Sequence, residues 1–249
     1  MSNHDKIVRH GLGQWLFGQL LWAGIPTDQR LRVVKSVFQR VGENDNSNLK
    51  ILGTGQYAAV GWLPHDHRKV LKVTKDEDDA MALEAIRQDP AKQLVKVYDV
   101  FKITPGRSKN SLFGIVTQKL TPLSAMDEEM FFYDLEDLKQ TARSLPFGIG
   151  YEGDLNEAAS ELNELYHEAE DREDEAEIEK FRDVFAPIFK NLKVWNKECY
   201  DRGIAFHDLS PGNVMMNRNV WTLMDFGHNS QTPYFHLPQL ELIDMPEDV

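Results

Sequence analysis

Cysteine is almost absent: Cys199 is the single one in 249 residues. An intrachain disulfide is therefore excluded, and no Cys/His set has zinc spacing. Such usage fits a reducing, cytoplasmic setting. Long hydrophobic runs are also missing. The longest apolar stretch near the N-terminus, residues 11–25, is interrupted by Gln14 and Gln19. It is too short to span a bilayer and lacks a signal-peptide cleavage pattern, so no membrane partner is expected. Trp15, Leu16, Leu20, Leu21 and Trp22 instead fit one side of an amphipathic helix packed on the protein or on a partner. Basic residues are scarce as well. With 28 Lys and Arg against 40 Asp and Glu, the net charge is -12. That argues against a broad electrostatic grip on nucleic acid, although it leaves room for a local basic pocket around a nucleotide.

What is present is the balance of a folded globular protein, with 41 % hydrophobic and 27 % charged residues. The length supports a sizeable core in one or two lobes. Three blocks stand out. Residues 1–48 read as helices around a break at residues 24–27, and the second helix (28–41) carries Leu31, Val34, Val37 and Phe38 near helical spacing. Residues 49–123 form the second block, where short β-rich runs dominate: 50–52, 58–62, 70–73, 94–101 and 113–117. A helix over 78–87 interrupts them. Residues 124–249 look mainly helical. Within them 154–179 is strongly acidic, a solvated helical face or mobile insert on the plain reading, a docking surface for a basic partner on the other. Phe181 to Tyr200 reads as a core helix that delivers the chain into the next loop.

That loop, Phe206-His207-Asp208-Leu209-Ser210-Pro211-Gly212-Asn213, is followed twelve residues after Asn213 by Asp225-Phe226-Gly227. Taken alone, Asp208 to Asn213 is rich in turn formers and could be a surface turn. An Asp and an Asn five residues apart, then a second Asp beyond a short hairpin, is the way a phosphoryl-transfer site is built. Asp208 would orient or deprotonate the attacking hydroxyl, while Asn213 and Asp225 would hold metal against the nucleotide phosphates. Upstream, Gly53-Thr54-Gly55-Gln56-Tyr57-Ala58-Ala59-Val60 sits between two predicted strands. Glycines there let the backbone approach phosphates with no side chain in the way, although the motif alone is equally an ordinary hairpin turn. Val60 would lie over the base.

Lys72 is polar in an apolar strand, twelve residues beyond Val60. Its expected role is to contact the α- and β-phosphates, oriented by an acid on the next helix. Glu84 is the preferred acid and Glu77 the runner-up. Substituting Lys72 by Met is expected to remove phosphoryl transfer while largely preserving the fold. Residues 117–120 follow the last small-lobe strand as a hinge, where backbone groups of Gln118 and Leu120 would read the adenine edge. His207 is expected to orient the loop, and His228 to be structural.

These residues resemble the protein-kinase-like superfamily from about Leu49 to Gly227, most nearly the compact early-expressed protein kinases of podophages. The resemblance implies an α+β, minimal two-lobe fold: an N-terminal helical extension (1–48), a small nucleotide-binding lobe (49–123) and a reduced, mainly helical large lobe (124–249). It implies ATP and Mg²⁺ as cofactors. Asp208, Lys72 and Glu84 would be catalytic, Gly53, Thr54, Gly55, Gln56, Val60, Lys72, Gln118 and Leu120 nucleotide-binding, and Asn213 and Asp225 metal ligands. The implied activity is phosphorylation of Ser/Thr hydroxyls on proteins, with bacterial host proteins as substrates in the host cytoplasm. Three departures stand against the family pattern. His207 replaces the Arg before the catalytic Asp, Ser210 replaces the usual Lys, and 22 residues follow Gly227 with no Ala-Pro-Glu anchor. Activation-loop control is therefore not expected. A small-molecule phosphotransferase, or a kinase-like protein that sequesters a host partner, are the competing readings.

Overall fold

The computed structural model describes residues 27–42, 50–54, 58–63, 65–103, 111–146, 148–150 and 155–227. The expected amphipathic helix around Trp15–Trp22, the glycine-loop tip Gly55, Gln56 and Tyr57, and His228 lie outside the described residues.

The fold is α+β, with the strand, helix and hairpin order expected of a two-lobe kinase-like chain. Helix α1 (Thr27–Arg40) comes first, then β1 (Lys50–Thr54), β2 (Ala58–Trp62), β3 (Lys69–Thr74), α2 (Glu77–Gln88), β4 (Val97–Lys102) and β5 (Phe113–Gln118). These five strands make an antiparallel sheet in the order β1-β2-β3-β5-β4. Alternation is lost in β3, where Val70 through Thr74 are all buried, because both faces of this central strand are covered. On one face α1 lays Val33, Val34, Val37 and Phe38 against Leu63, Leu71, Val73, Phe101 and Val116. Residues 33, 34, 37 and 38 share one helical face, so α1 is held by burial of that stripe. Gly114 lies opposite Phe101 in the β4–β5 register, and a Cβ at Gly114 would collide with the Phe101 ring. The absence of a side chain there is what lets the ring lie over the strand.

Helix α2 covers the other side through Ala80, Leu83 and Ile86, which join a core continuous with the large lobe. Its start is set by Asp76, whose carboxylate accepts the N–H groups of Asp78 and Asp79. A cap of this type stabilises a helix by about 1 kcal/mol.

Beyond β5 come β6 (Thr121–Pro122), α3 (Ala125–Thr141), α4 (Leu155–Asp171), α5 (Glu175–Lys180), a π-helical turn (Phe181–Phe185) and α6 (Ala186–Tyr200). The core helix expected from Phe181 is thus a π turn running into α6. Pro187 sits in the first turn of α6, directly after the π turn, and has no N–H to donate back into that turn. Ile188, Leu192, Trp195 and Cys199 form the buried face. The chain then passes a short 3₁₀ turn (Pro211–Asn213) into β7 (Val214–Asn217) and β8 (Val220–Leu223), a hairpin that pairs with β6. The lobes are stitched together at one seam. Leu223 donates its N–H to Gln93 at 2.9 Å, and its carbonyl accepts from Val95 at 3.0 Å. Glu198 accepts the N–H groups of Lys92 and Gln93, at 3.1 and 3.0 Å. No described helix is long and apolar enough to cross a membrane.

Candidate phosphoryl-transfer site

The β7–β8 hairpin brings Asn213 and Asp225 to the same end of one ribbon. Val214 pairs with Leu223, so Asn213 lies one residue before that pair and Asp225 two residues after it. Met224 N–H donates to the Asn213 carbonyl at 2.9 Å, which closes the ribbon between them. Asn213 then turns its side chain back on the loop. Its Nδ2 donates to the Asp208 carbonyl at 2.8 Å and to Asp208 Oδ2 at 3.1 Å. The expected acid, amide and second acid therefore sit in one hydrogen-bonded unit with the Asp208 side chain exposed.

Two aromatic rings anchor the unit from below. Phe206 exchanges backbone hydrogen bonds with Ile149, at 2.7 and 2.9 Å. Its ring packs 5.6 Å from that of Phe226, and both are fully buried. The two loops are thus held by one apolar contact, and His207 and Asp208 project from it. His207 lines a cavity of about 50 Å³ with Lys139, Asn196 and Leu209, beside the loop it was expected to orient.

Asp225 has φ 62°, left-handed backbone that a non-glycine residue rarely adopts. Such conformations cost of order 1–3 kcal/mol and persist where the surroundings over-determine them. Here the surroundings are explicit. Asp225 Oδ1 accepts from Lys72 Nζ at 2.8 Å, and the next residue, Phe226, donates its N–H to Asp79 Oδ1 at 3.1 Å. Gly227 then passes so close to the α2 cap that a Cβ would sit 2.6 Å from Asp76 Oδ2.

Lys72 reaches Asp79 Oδ2 at 2.7 Å as well as Asp225. This corrects the expected pairing with Glu84. Glu84 is buried, but its carboxylate takes a two-pronged bond from Arg87, at 2.6 and 2.7 Å, and a third from Gln88. Lys72 is met instead from the first turn of α2, which lies beside the Asp225–Gly227 segment. Neither Glu84 nor Glu77 makes that contact. Burial by itself would push the Lys72 ammonium down, yet the carboxylates of Asp79 and Asp225 hold it above the ordinary lysine range. Complete burial raises the Asp79 carboxyl, against the pull of Lys72 and with a push from Asp225. Asp79 Oδ2 has no aligned hydrogen bond beyond this ion pair. The signal for Asp79 was in the sequence as an Asp76-x-x-Asp79 helix start, a pattern that reads as capping rather than as a site.

For the nucleotide, β1 and β2 flank the glycine turn, with Gly53 opposite Val60 and Thr54 opposite Ala59 in register. Gly55 and Gln56 lie outside the described residues. Val60 pairs with Lys72 across β2–β3. At the hinge, Gln118 is already engaged. Its N–H donates to the Lys96 carbonyl at 2.8 Å, and its side-chain amide donates to Asn217 Oδ1 at 2.8 Å. Its backbone N–H is therefore engaged within the protein, to the residue directly before β4. Leu120 lies partly buried against the shared core.

The donor set fits a hard divalent cation. Asn213 commits its amide nitrogen to Asp208, which leaves the Oδ1 oxygen as the atom that can ligate. Asp225 commits Oδ1 to Lys72 and keeps Oδ2. Mg²⁺ is ordinarily held by one or two protein oxygens plus phosphates and waters.

No family model matches this chain, and no curated protein does. Among solved structures the chain is similar to a thermostable mutant of aminoglycoside phosphotransferase APH(4)-Ia in its apo form. Identity is 13 % over 77 % of this chain and 70 % of that one, with a TM-score of 0.35. It is also similar to APH(2")-IIia in its GDP and kanamycin complex. There identity is 15 % over 79 % of this chain and 72 % of that one, with a TM-score of 0.32.

Proposed function

We propose that this protein is an ATP- and Mg²⁺-dependent phosphotransferase, and that its acceptor is a Ser or Thr hydroxyl of a protein. The observation that carries the first part is the placement of Lys72. Its buried ammonium is held between Asp79 and Asp225, at the end of the ribbon that also presents Asn213 and Asp208. In that role Lys72 places positive charge beside the nucleotide phosphates, Asn213 and Asp225 hold the cation, and exposed Asp208 orients the hydroxyl. A divalent cation held there would supply positive charge to offset the charge that develops on the phosphates. Catalysis is then positioning and charge stabilisation, with no covalent step for the protein.

Ser210 favours a second reading. It is half-buried two residues after Asp208, where protein kinases carry a Lys, and this brings small-molecule acceptors forward. ATP turnover and autophosphorylation compared between wild type and Asp208→Asn test the enzyme itself. Equal signal from both proteins would leave only a binding role. Labelled γ-phosphate transfer into bacterial lysate protein, run beside transfer to aminoglycosides, then separates the acceptors. Label confined to the small molecules would reject the protein acceptor.

A further inference from the structure

Opposite faces of α4 and the α5–α6 elbow leave a groove that phosphoryl transfer does not use. Its volume is about 320 Å³, and its walls are Leu162 and Tyr166 from α4 and Phe181, Phe185 and Phe189 from the elbow. The elbow's π turn builds one wall. Ala186 N–H donates to the Phe181 carbonyl, a five-residue step that widens the helix. Phe181 and Phe185 then meet edge to face at 5.3 Å, and Tyr166 meets Phe181 the same way at 6.1 Å. Single-turn π insertions recur at functional sites.

The α4–α5 turn, which begins five residues beyond Tyr166, is acidic, while the groove's own lining carries one charged residue, Arg182. Residues 171–177 carry Asp171, Glu173, Asp174, Glu175 and Glu177 against one base, Arg172. That base is already paired with Glu177 at 2.8 Å. Arg182, on the wall, is likewise paired with Asp183 at 2.8 Å. An apolar trough with aromatic walls and a net-acidic turn beyond its Tyr166 end matches a helix with an apolar stripe and a basic terminus.

We propose that this groove docks a basic amphipathic helix of a partner protein, its apolar stripe between Tyr166 and Phe189 and its basic end at the 171–177 turn. The π turn touches α3, and α3 touches the 211–213 turn that precedes β7, so an occupant would sit one helix away from the transfer loop. The site is independent of which hydroxyl accepts phosphate.

The probe is a fluorescein-labelled synthetic helix with Leu at helical three- and four-residue steps and Lys at one end, titrated by anisotropy with the full chain. A shuffled peptide of the same composition and an analogue with Glu for Lys are the controls. The amphipathic basic peptide is expected to bind about tenfold more tightly than either, the difference one buried Leu-sized side chain makes. Added salt should weaken it. Ala159→Trp, which fills the groove, and the exposed pair Asp171→Lys with Glu175→Lys should each lose that advantage while the far-UV spectrum stays native. Equal binding of the three peptides overturns the proposal. So does unchanged binding in both variants, or displacement of the peptide by self-association of the chain.

Discussion

Lys72 and Asp79 set the expectations at the scale of single residues. Lys72→Met was expected to spare the fold, but Asp79 changes that. Removing the ammonium leaves a fully buried carboxylate without its ion-pair partner. Breaking a buried pair from one side costs about 3–5 kcal/mol. Chemical denaturation of Lys72→Met at neutral pH should show a loss of that size, and Lys72→Met with Asp79→Asn should recover much of it. The single variant's loss should shrink in acid. Its folded Asp79 binds a proton more readily than the unfolded chain, so stability falls as pH rises through and above the ordinary carboxylate range near about 4. A double variant no more stable than the single one would contradict the pairing. In the wild type the ammonium stays above its ordinary value, so its stabilising effect is complete below about pH 10.4, declines above that, and is gone once the pH has passed the folded value.

The same pair separates Asp79 from Glu84 by activity. Asp79→Asn loosens both Lys72 and the Phe226 N–H, and a misplacement of this kind can cost about 10²-fold in kcat. Glu84→Gln disturbs a pair with Arg87 on the far side of the site, and kcat should stay within about twofold of wild type. Steady-state kinetics of the two variants decide it, with a larger loss in Glu84→Gln restoring the original assignment. The Glu84 expectation failed for a physical reason. A buried Glu in mid-helix satisfies the sequence pattern equally well whether it faces the strand or its own helix's Arg87. Only the packing of α2 against the Asp225–Gly227 segment shows that the first turn is the part that meets Lys72.

At the scale of elements, the sequence carried most of what periodicity encodes. The helix read over 28–41 is α1 at Thr27–Arg40, and the helix read over 78–87 is α2 at Glu77–Gln88. The run read as a strand over 94–101 begins later, at Val97, because Leu94 and Val95 bond instead to Leu223 of the large lobe. Apolar alternation cannot tell a strand partner in the same sheet from a seam to another lobe. The two strands that flank the glycine turn, by contrast, were legible, and they pair antiparallel. Helix α1 offers a test of what holds an element in place. Arg40 bonds Asp99 through Nε at 2.7 Å and Nη2 at 3.1 Å, but both side chains are partly exposed. Phe38 is 3 % exposed in the core beneath α1. Phe38→Ala should cost about 3–5 kcal/mol, and Arg40→Ala about 0–1 kcal/mol. Urea midpoints measure both, and a salt bridge outweighing the ring would reverse the account of α1.

For the whole molecule, one core runs from α2 through the seam into the helical lobe, including Leu83, Leu94, Phe131, Trp195, Cys199 and Phe226. Elements that share such a core open together, because no surface between them can be exposed without losing burial on both sides. Cys199 reports on that opening. It is the chain's one cysteine, it is 0 % exposed, and burial pushes its thiol far above the ordinary range. The thiolate is the reactive form, so the folded protein should resist thiol reagents. Labelling with a chromogenic disulfide should be negligible in native buffer and reach one thiol per chain in denaturant. Across intermediate urea, the labelling rate should follow the same midpoint as loss of helix signal. Labelling that precedes the helix transition would show that the helical lobe opens on its own, and the core shared by α2 and that lobe would then not open as one unit.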